Sequence, residues 1–294
     1  MIPMKKMISL MTMALMMTSV FAVGSYCKKS NAASPEPQKA AHPGQDEAET
    51  KAVAGEAQQS DIPLGAQVLM EAYPDFIKGY SNNKILFHDG TEMTYDDGRQ
   101  KSFVEKLDDP DIEDMFAFKY DLNSWTPEFQ QDAGRSRNKA LFEKMYGNSQ
   151  AVTRNHLVKM SWFGQSIWFT TVNGADKHLM AVRDELAQHP EFKKYFKSEG
   201  TFYWNSVRGG KRQSAHSYGM AIDIGGDYKT YWSWTKPGAK ETDKVAYQNK
   251  MPHEIVEIFE KHGFIWGGRW YHYDTMHFEY RPEILLMEKK RASN

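Results

Sequence analysis

Two short stretches of this 294-residue chain contain the side chains best suited to chemistry. The first, residues 214–224, reads Ser-Ala-His-Ser-Tyr-Gly-Met-Ala-Ile-Asp-Ile and supplies an imidazole at His216 and a carboxylate at Asp223. The second, residues 274–279, reads Asp-Thr-Met-His-Phe-Glu and adds an imidazole at His277. Two imidazole nitrogens and one carboxylate oxygen suit a catalytic zinc, whose fourth position is left to water. The sequence therefore predicts that His216, Asp223 and His277 bind one zinc ion for metal-assisted hydrolysis.

A short apolar run carries Asp223. Residues 220–224, Met-Ala-Ile-Asp-Ile, are typical of a buried strand, and side chains on a strand alternate between its two faces. Asp223 then faces away from its two isoleucine neighbours. Gly219, just before the run, can adopt a positive φ and turn the chain. We expect this turn to bring His216 back towards the carboxylate of Asp223.

Two carboxylates flank His277 and compete for the role of catalytic base. Asp274 lies in the turn before the predicted strand 277–281. We expect its carboxylate to overhang the open metal position, take a proton from water and pass it to the leaving amine. Alternation places Glu279 on the same face as His277, where it can orient a metal ligand from behind. The sequence predicts Asp274 as the base and leaves Glu279 as the competing assignment.

The two motifs together resemble a known family. Ser-x-His-x-x-Gly-x-Ala-x-Asp followed by Asp-x-x-His-Phe-Glu is similar to the zinc peptidases that cut bacterial cell-wall peptides. This group includes D-alanyl-D-alanine carboxypeptidases of the vancomycin-resistance type and L-alanyl-D-glutamate endopeptidases of phage lysins. The resemblance covers residues 200–282. It implies an α+β fold of the hedgehog/DD-peptidase kind, in which a small antiparallel sheet carries the zinc site and helices pack on one face.

The resemblance implies a metallopeptidase that uses Zn²⁺ to hydrolyse peptide bonds of the peptidoglycan stem peptide, for cell-wall remodelling. Either the D-Ala-D-Ala bond or the L-Ala-D-Glu bond is then the substrate. Residues 266–270, Trp-Gly-Gly-Arg-Trp, resemble the endopeptidase branch and favour the internal bond. The alternative is a non-catalytic zinc-containing module for wall binding or signalling, as the likeness to hedgehog allows. Asp274 distinguishes the two, because a binding module has no use for a base beside the metal.

Three residues near the first motif are candidates for substrate contact or support of the site, namely Arg208, Arg212 and Ser214. The basic loop 208–212 ends just before Ser214. A guanidinium matches both oxygens of a carboxylate, so either arginine suits the terminal carboxylate of D-Ala or the side chain of D-Glu. Members of the family often have an arginine at about the position of Asn205 in this chain. Because this chain has an asparagine there, the role of that arginine is not assigned to residue 205.

The amino terminus is typical of an exported protein. In residues 1–26 two lysines precede an apolar run and small residues, which predicts a signal peptide. Residues 27–61 contain almost no large apolar side chain and are predicted to form a disordered tether. Either cleavage follows Ala22 and releases the protein, or Cys27 carries a lipid anchor. Both alternatives predict a periplasmic or cell-envelope protein, and one cysteine excludes an internal disulfide.

The charge composition of the chain limits the classes of molecule that it is expected to bind. The net charge of −1 argues against nucleic acid and against a purely electrostatic membrane partner. The predicted partner is the peptidoglycan stem peptide, with membrane contact only through the signal or a lipid at Cys27, and the oligomeric state is left open. After the tether we expect an N-terminal extension at 62–150 and the zinc peptidase domain at 151–294.

Hydrophobic periodicity and turn residues predict the other elements. These are a hairpin at 84–95, two strands within 155–171, a strand at 201–204 and helices at 132–145, 174–188 and 252–262. Arg135 and Arg137 are expected at a solvated helix start rather than in the cleft. The aromatic run 231–234 is expected on a loop, where it serves either core packing or the binding of sugar or peptide.

Overall fold

A computed structural model describes residues 62–207 and 212–293. The predicted signal peptide, the tether with Cys27 and the candidate Arg208 lie outside the described residues. The described residues belong to one compact unit. None of their helices is long and apolar enough to cross a membrane.

The described chain begins with a helix and a small antiparallel sheet whose strands follow one another in order. The tight turn at Asn82 and Asn83, both with positive φ, joins the first two strands. A helix with a capping box then follows, in which Ser102 and Glu105 satisfy each other's backbone N–H. The elements are α1 (Leu64–Ala72), β1 (Ile77–Ser81), β2 (Lys84–Phe87), β3 (Glu92–Thr94) and α2 (Phe103–Asp108).

The middle of the chain forms a separate two-stranded hairpin between helices. Its strands pair without a register shift, from Leu157 opposite Thr170 to Trp162 opposite Gln165. The elements are α3 (Lys139–Tyr146), α4 (Gln150–Arg154), β4 (Leu157–Trp162), β5 (Gln165–Thr170) and α5 (Ala175–Leu186).

A four-stranded antiparallel sheet carries both sequence motifs, with the order β6-β7-β9-β8. β7 and β9 are its two central strands, so each of them pairs with a neighbouring strand on both sides, and they carry Asp223 and His277. The strands are β6 (Ser198–Gly200), β7 (Ala221–Ile224), β8 (Phe264–Trp266) and β9 (His277–Tyr280). The remaining helices are α6 (Trp232–Thr235), α7 (His253–Lys261) and α8 (Pro282–Ser293).

Helix α7 packs on this sheet through its apolar stripe. Ile255, Val256 and Phe259 are fully buried, and the ring of Phe259 stacks on that of Phe278 in β9 with 3.9 Å between centroids. Offset aromatic pairs of this kind add about 0.5–1.5 kcal/mol beyond their buried area. This packing holds β9, and therefore His277 at its start, in a fixed position.

The prediction of an α+β fold with small antiparallel sheets is confirmed, and three local predictions are wrong. Residues 201–204 are not a strand, since β6 ends at Gly200. The helix expected from residue 132 starts only at Lys139, because Asn138 is the cap and accepts a hydrogen bond from Leu141 N–H at 2.9 Å. The aromatic run 231–234 enters the short helix α6 rather than an open loop.

Candidate metal centre and active site

The two central strands of the sheet bring two of the predicted ligands together. Asp223 on β7 lies directly opposite His277 on β9. His216 comes from a 3₁₀ turn, residues 215–218, just before β7. Gly219 ends this turn with a φ of 66°, and a side chain there would overlap that of Leu157. The left-handed glycine therefore brings His216 over the end of β7, as the sequence predicts.

Three donor atoms of these side chains converge. Asp223 Oδ1 lies 3.1 Å from His216 Nε2 and 3.0 Å from His277 Nδ1, and the two nitrogens are 3.2 Å apart. Zinc bonds of about 2.0–2.1 Å at tetrahedral angles place ligand atoms about 3.3 Å apart. The three atoms thus have the spacing of three corners of a tetrahedral zinc site.

The outer nitrogen of each ring fixes its tautomer. His216 Nδ1 lies 3.1 Å from the carbonyl oxygen of Thr201, and His277 Nε2 lies 3.0 Å from Glu279 Oε2. Each of these oxygens accepts, so each outer nitrogen carries the hydrogen and the inner nitrogen presents a lone pair to Asp223. Three acceptors at this distance repel one another unless a cation lies among them. The donor set therefore fits a metal ion.

A proton is the alternative to a metal cation among these three donor atoms. Although burial lowers the pKa of His277, its hydrogen bonds to Asp223 and Glu279 raise it to about 10. A proton on the inner nitrogen of His277 and a metal ion use the same lone pair. The affinity of the site for a metal must therefore fall as the pH is lowered.

Glu279 holds His277 from behind. Its side chain is fully buried and also accepts hydrogen bonds from Arg137 Nη1 at 3.0–3.1 Å and Arg281 Nη1 at 3.0 Å. Burial raises the pKa of this carboxyl, but Arg137, His277 and Arg281 together lower it to about 2. Glu279 is therefore an ionised support for His277, and it is not among the residues that line the cavity.

Asp274 lines the same cavity as the three candidate ligands. It is half-buried in the wall of the same cavity, and its Oδ1 has no hydrogen-bond partner among the described residues. Burial and the charge of Asp223 raise the pKa of Asp274 to about 7. A carboxyl with this pKa can accept and release a proton near neutral pH.

The Trp-Gly-Gly-Arg-Trp run shapes the backbone beside Asp274. The N–H of Asp274 donates to the carbonyl of Gly267 at 2.9 Å. A Cβ on Gly267 would lie 2.5 Å from the backbone oxygen of Asp274, and one on Gly268 would overlap the ring of Trp266. Gly267 is therefore needed for the close approach of this run to the turn that carries Asp274, and Gly268 is needed to leave room for the ring of Trp266.

The cavity at this centre has a volume of about 230 Å³. Its wall combines the candidate ligands and Asp274 with guanidinium groups and aromatic rings. The other lining side chains include Arg135, Arg137, Arg212, Tyr203, Tyr231, Trp232, Trp234 and Trp270. The expectation that Arg135 and Arg137 lie at a solvated helix start is therefore wrong.

The guanidinium groups of the wall are paired with carboxylates. Arg212 lies 2.7 Å from Glu241 Oε1 and 3.1 Å from Asp108. Arg135 holds both oxygens of Glu241 at 2.8 and 2.9 Å. Ser214, the third candidate, lines the cavity, and its Oγ accepts from the N–H of His216 at 3.3 Å. Arg212 and Ser214 are thus at the site, and Ser214 also supports the turn that carries a candidate ligand.

A second buried cluster stands beside the cavity and has no motif in the sequence. His272 Nδ1 lies 2.6 Å from Asp132 Oδ2, and both side chains are fully buried. With Glu241 they provide three potential ligand atoms. Arg135 lies within the cluster, 3.1 Å from Asp132 and 2.8 Å from Glu241, so its guanidinium already supplies the cation that the acids require.

Residues 208–280 match the family model described as D-alanyl-D-alanine carboxypeptidase. The matched segment contains the three candidate ligands and Asp274, and the match confirms the family resemblance of the two motifs. No curated protein and no solved structure matches the chain significantly.

Proposed function

We propose that this chain, whose residues 208–280 carry the features of the D-alanyl-D-alanine carboxypeptidase family, is a zinc peptidase that hydrolyses the stem peptide of peptidoglycan. At the level of the family, the match supports a peptidase that acts on peptidoglycan. The observation that carries the zinc proposal is the convergence of three lone-pair donors, from His216, Asp223 and His277, within 3.0–3.2 Å. A hedgehog/DD-peptidase arrangement of the sheet is part of the same proposal.

His216, Asp223 and His277 would hold the zinc ion, which when bound supplies a Lewis acid for the scissile carbonyl and lowers the pKa of water. The chain's own groups keep this ligand set in place. The carbonyl of Thr201 holds His216 Nδ1–H and the carboxylate of Glu279 holds His277 Nε2–H. Both rings are thereby prevented from rotating, and their inner nitrogens stay unprotonated when metal is bound.

Asp274 moves the proton of the reaction. Its carboxylate takes one proton from the attacking water, whose oxygen forms the new bond to the scissile carbonyl carbon. The same carboxyl then gives that proton to the amine nitrogen as the C–N bond breaks. The unpartnered Oδ1 of Asp274 and its raised pKa suit this exchange. Glu279 is less suited, because arginines and His277 already occupy its two oxygens.

We further propose cleavage of the internal L-Ala-D-Glu bond rather than release of D-Ala. A carboxypeptidase must bind the free carboxylate of the terminal residue, and an arginine does this best. Among the described residues, Arg135 and Arg212 at the cavity are both paired with Glu241, and Arg137 is paired with Glu279. An endopeptidase needs no such clamp for a chain end.

Digestion of purified muropeptides by the zinc-loaded protein tests both parts of the proposal. Mass spectrometry of the products should reveal cleavage between L-Ala and D-Glu, and the activity should disappear with a chelator and return with zinc. Loss of a single alanine from pentapeptide stems, with the L-Ala-D-Glu bond intact, would assign the other bond. No product from any muropeptide, with zinc bound, would favour the non-catalytic wall-binding or signalling module.

We also propose that the protein acts outside the inner membrane, either soluble after cleavage behind Ala22 or anchored by a lipid on Cys27. The two alternatives differ in membrane fractionation of the expressed protein. If the lipid is the anchor, Cys27→Ser should move the protein from the membrane to the soluble fraction. A Cys27→Ser protein that stays at the membrane would exclude that anchor.

A further inference from the structure

The mouth of the cavity carries an aromatic ring that the proposed peptide chemistry does not use. Trp234 lines the cavity and is 50% exposed, more than any other large hydrophobic side chain of the described residues. Because this half-exposed indole lines the cavity, it offers a flat apolar face to a bound ligand. A substrate group that binds to this ring is therefore distinct from the scissile bond.

The ring of Trp234 is supported and its environment is rigid. Tyr231 packs edge-on against it, with 5.6 Å between centroids and 68° between planes. The next aromatic residue, Trp232, points inward, where it is buried against His272 at 4.7 Å. His272 is in turn fixed by Asp132. The short helix α6 thus anchors one tryptophan in the protein and presents the other at the cavity.

The segment that supports Trp234 is hydrogen-bonded through its backbone to the turn that carries the proposed base, Asp274. Tyr231 forms an antiparallel β-bridge with Asp274, and Trp232 N–H donates to the carbonyl of Tyr273 at 2.9 Å. The backbone segments that carry Trp234 and Asp274 are therefore hydrogen-bonded to each other. A ligand on Trp234 is positioned relative to the site of proton transfer.

The proposed substrate has few groups that match an indole face. Stem-peptide side chains are small or charged, whereas the muramyl sugar offers a flat face of C–H bonds that packs against aromatic rings. In the L-Ala-D-Glu case this sugar lies on the N-terminal side of the scissile bond and is separated from it by one residue and the lactyl group. In the D-Ala-D-Ala case at least three further residues intervene, each spanning about 3.3–3.6 Å. Only the first case allows one small cavity to hold both groups.

We propose that Trp234, supported by Tyr231, binds the pyranose ring of the N-acetylmuramyl group next to the scissile L-Ala-D-Glu bond. This inference rests on the proposed function and adds its substrate class, which is a stem peptide still attached to the glycan. The indole face packs on the sugar, while Asp274 and the candidate ligands act on the peptide bond one residue away.

Paired substrates test the subsite. One is a muramyl peptide, and the other is the same peptide with an N-acetyl cap in place of the sugar. Trp234→Ala should lower kcat/KM for the muramyl peptide about tenfold more than for the capped peptide, as expected for one lost stacking contact. Trp234→Phe should retain most of the preference. Trp168→Ala is the matched control, since Trp168 is 47% exposed on β5 and does not line the cavity.

A binding measurement separates failure of the subsite from failure of the proposed function. The probe is the disaccharide N-acetylglucosaminyl-N-acetylmuramic acid, titrated into chelator-treated protein and followed by tryptophan fluorescence and NMR. Binding that is lost in Trp234→Ala and retained in Trp168→Ala supports the subsite, even if the bond is not cleaved. Equal losses on both peptide substrates, or disaccharide binding that Trp234→Ala does not change, would overturn it.

Discussion

Glu279 fixes the ring of His277 by accepting its Nε2–H at 3.0 Å, two residues further along the same strand. Successive side chains of a strand alternate, so residues 277 and 279 share one face of β9. Glu279 is also bound to Arg137, which comes from a distant part of the chain. The orientation of a candidate ligand therefore depends on a residue outside both motifs.

Zinc binding should depend on each of the three donors. His216→Ala, Asp223→Ala and His277→Ala should each reduce bound zinc from about one ion per chain to a small fraction, because two remaining donors cannot complete the site. Metal analysis of purified protein measures this. His189→Ala is the control, since His189 is half-buried, does not line the cavity and pairs with Glu191. Full zinc content in the Asp223 and His277 variants would refute the ligand set.

Asp274→Asn should keep zinc and lose activity by about 10²–10⁴-fold in kcat, the usual contribution of a positioned acid or base. The amide keeps the shape of the side chain but cannot take a proton. Asp184→Asn, at an exposed ion pair, is the isosteric control. An active Asp274→Asn together with a zinc-loaded but inactive Glu279→Gln would reverse the two assignments.

The kcat/KM of the enzyme should fall as the pH is lowered into the acidic range. Asp274 takes a proton only as a carboxylate, so kcat/KM rises as the pH increases through its pKa. Burial and Asp223 raise that pKa to about 7, and a bound cation lowers it, so the midpoint should lie below 7. A pH profile with zinc content measured at each point tests this. An acid limb that follows the zinc content alone, or that persists in Asp274→Asn, would contradict it.

The stability of the metal-free protein should depend strongly on Glu279. Its carboxyl has a pKa lowered to about 2, so it stabilises the fold above its unfolded pKa of about 4.3, and this contribution is lost as the pH falls towards 2. Glu279→Gln leaves the buried Arg137 without its counter-charge, which should cost about 3–5 kcal/mol. Arg281 loses one of its two carboxylate partners and keeps the other, Glu283.

Urea unfolding of chelator-treated protein at pH 7 measures that cost. Glu191→Gln is the control, because Glu191 is exposed and forms an ion pair with His189. It should change the free energy of unfolding by less than about 0.5 kcal/mol. A similarly small change for Glu279→Gln would mean that Glu279 is not the counter-charge that Arg137 requires.

The sequence was sufficient where the chemistry lies within a few residues. The alternation around Asp223 and His277 predicts β7 and β9, because a strand has a period of two and one face must be apolar. Gly219 predicts the left-handed turn before β7. The apolar stripe of residues 252–262 predicts α7, which the structure bounds at His253–Lys261.

Contacts between distant residues could not be predicted in this way. Arg137 binds Glu279 across 142 positions, and Asp132 binds His272 across 140. No local period encodes such a pair. Charged residues near a helix start are usually solvated, so a sequence pattern does not reveal that Arg135 and Arg137 are buried by their carboxylate partners.

The pairing of Asp223 directly opposite His277 has a thermodynamic consequence. A slip of one residue between β7 and β9 would turn one of the two side chains to the other face of the sheet, and the donor set would be lost. Only the native register then binds the ion with full affinity. Metal occupancy is therefore linked by mass action to correct strand pairing, and free zinc should shift the folding equilibrium towards it by RT ln(1 + [Zn²⁺]/Kd).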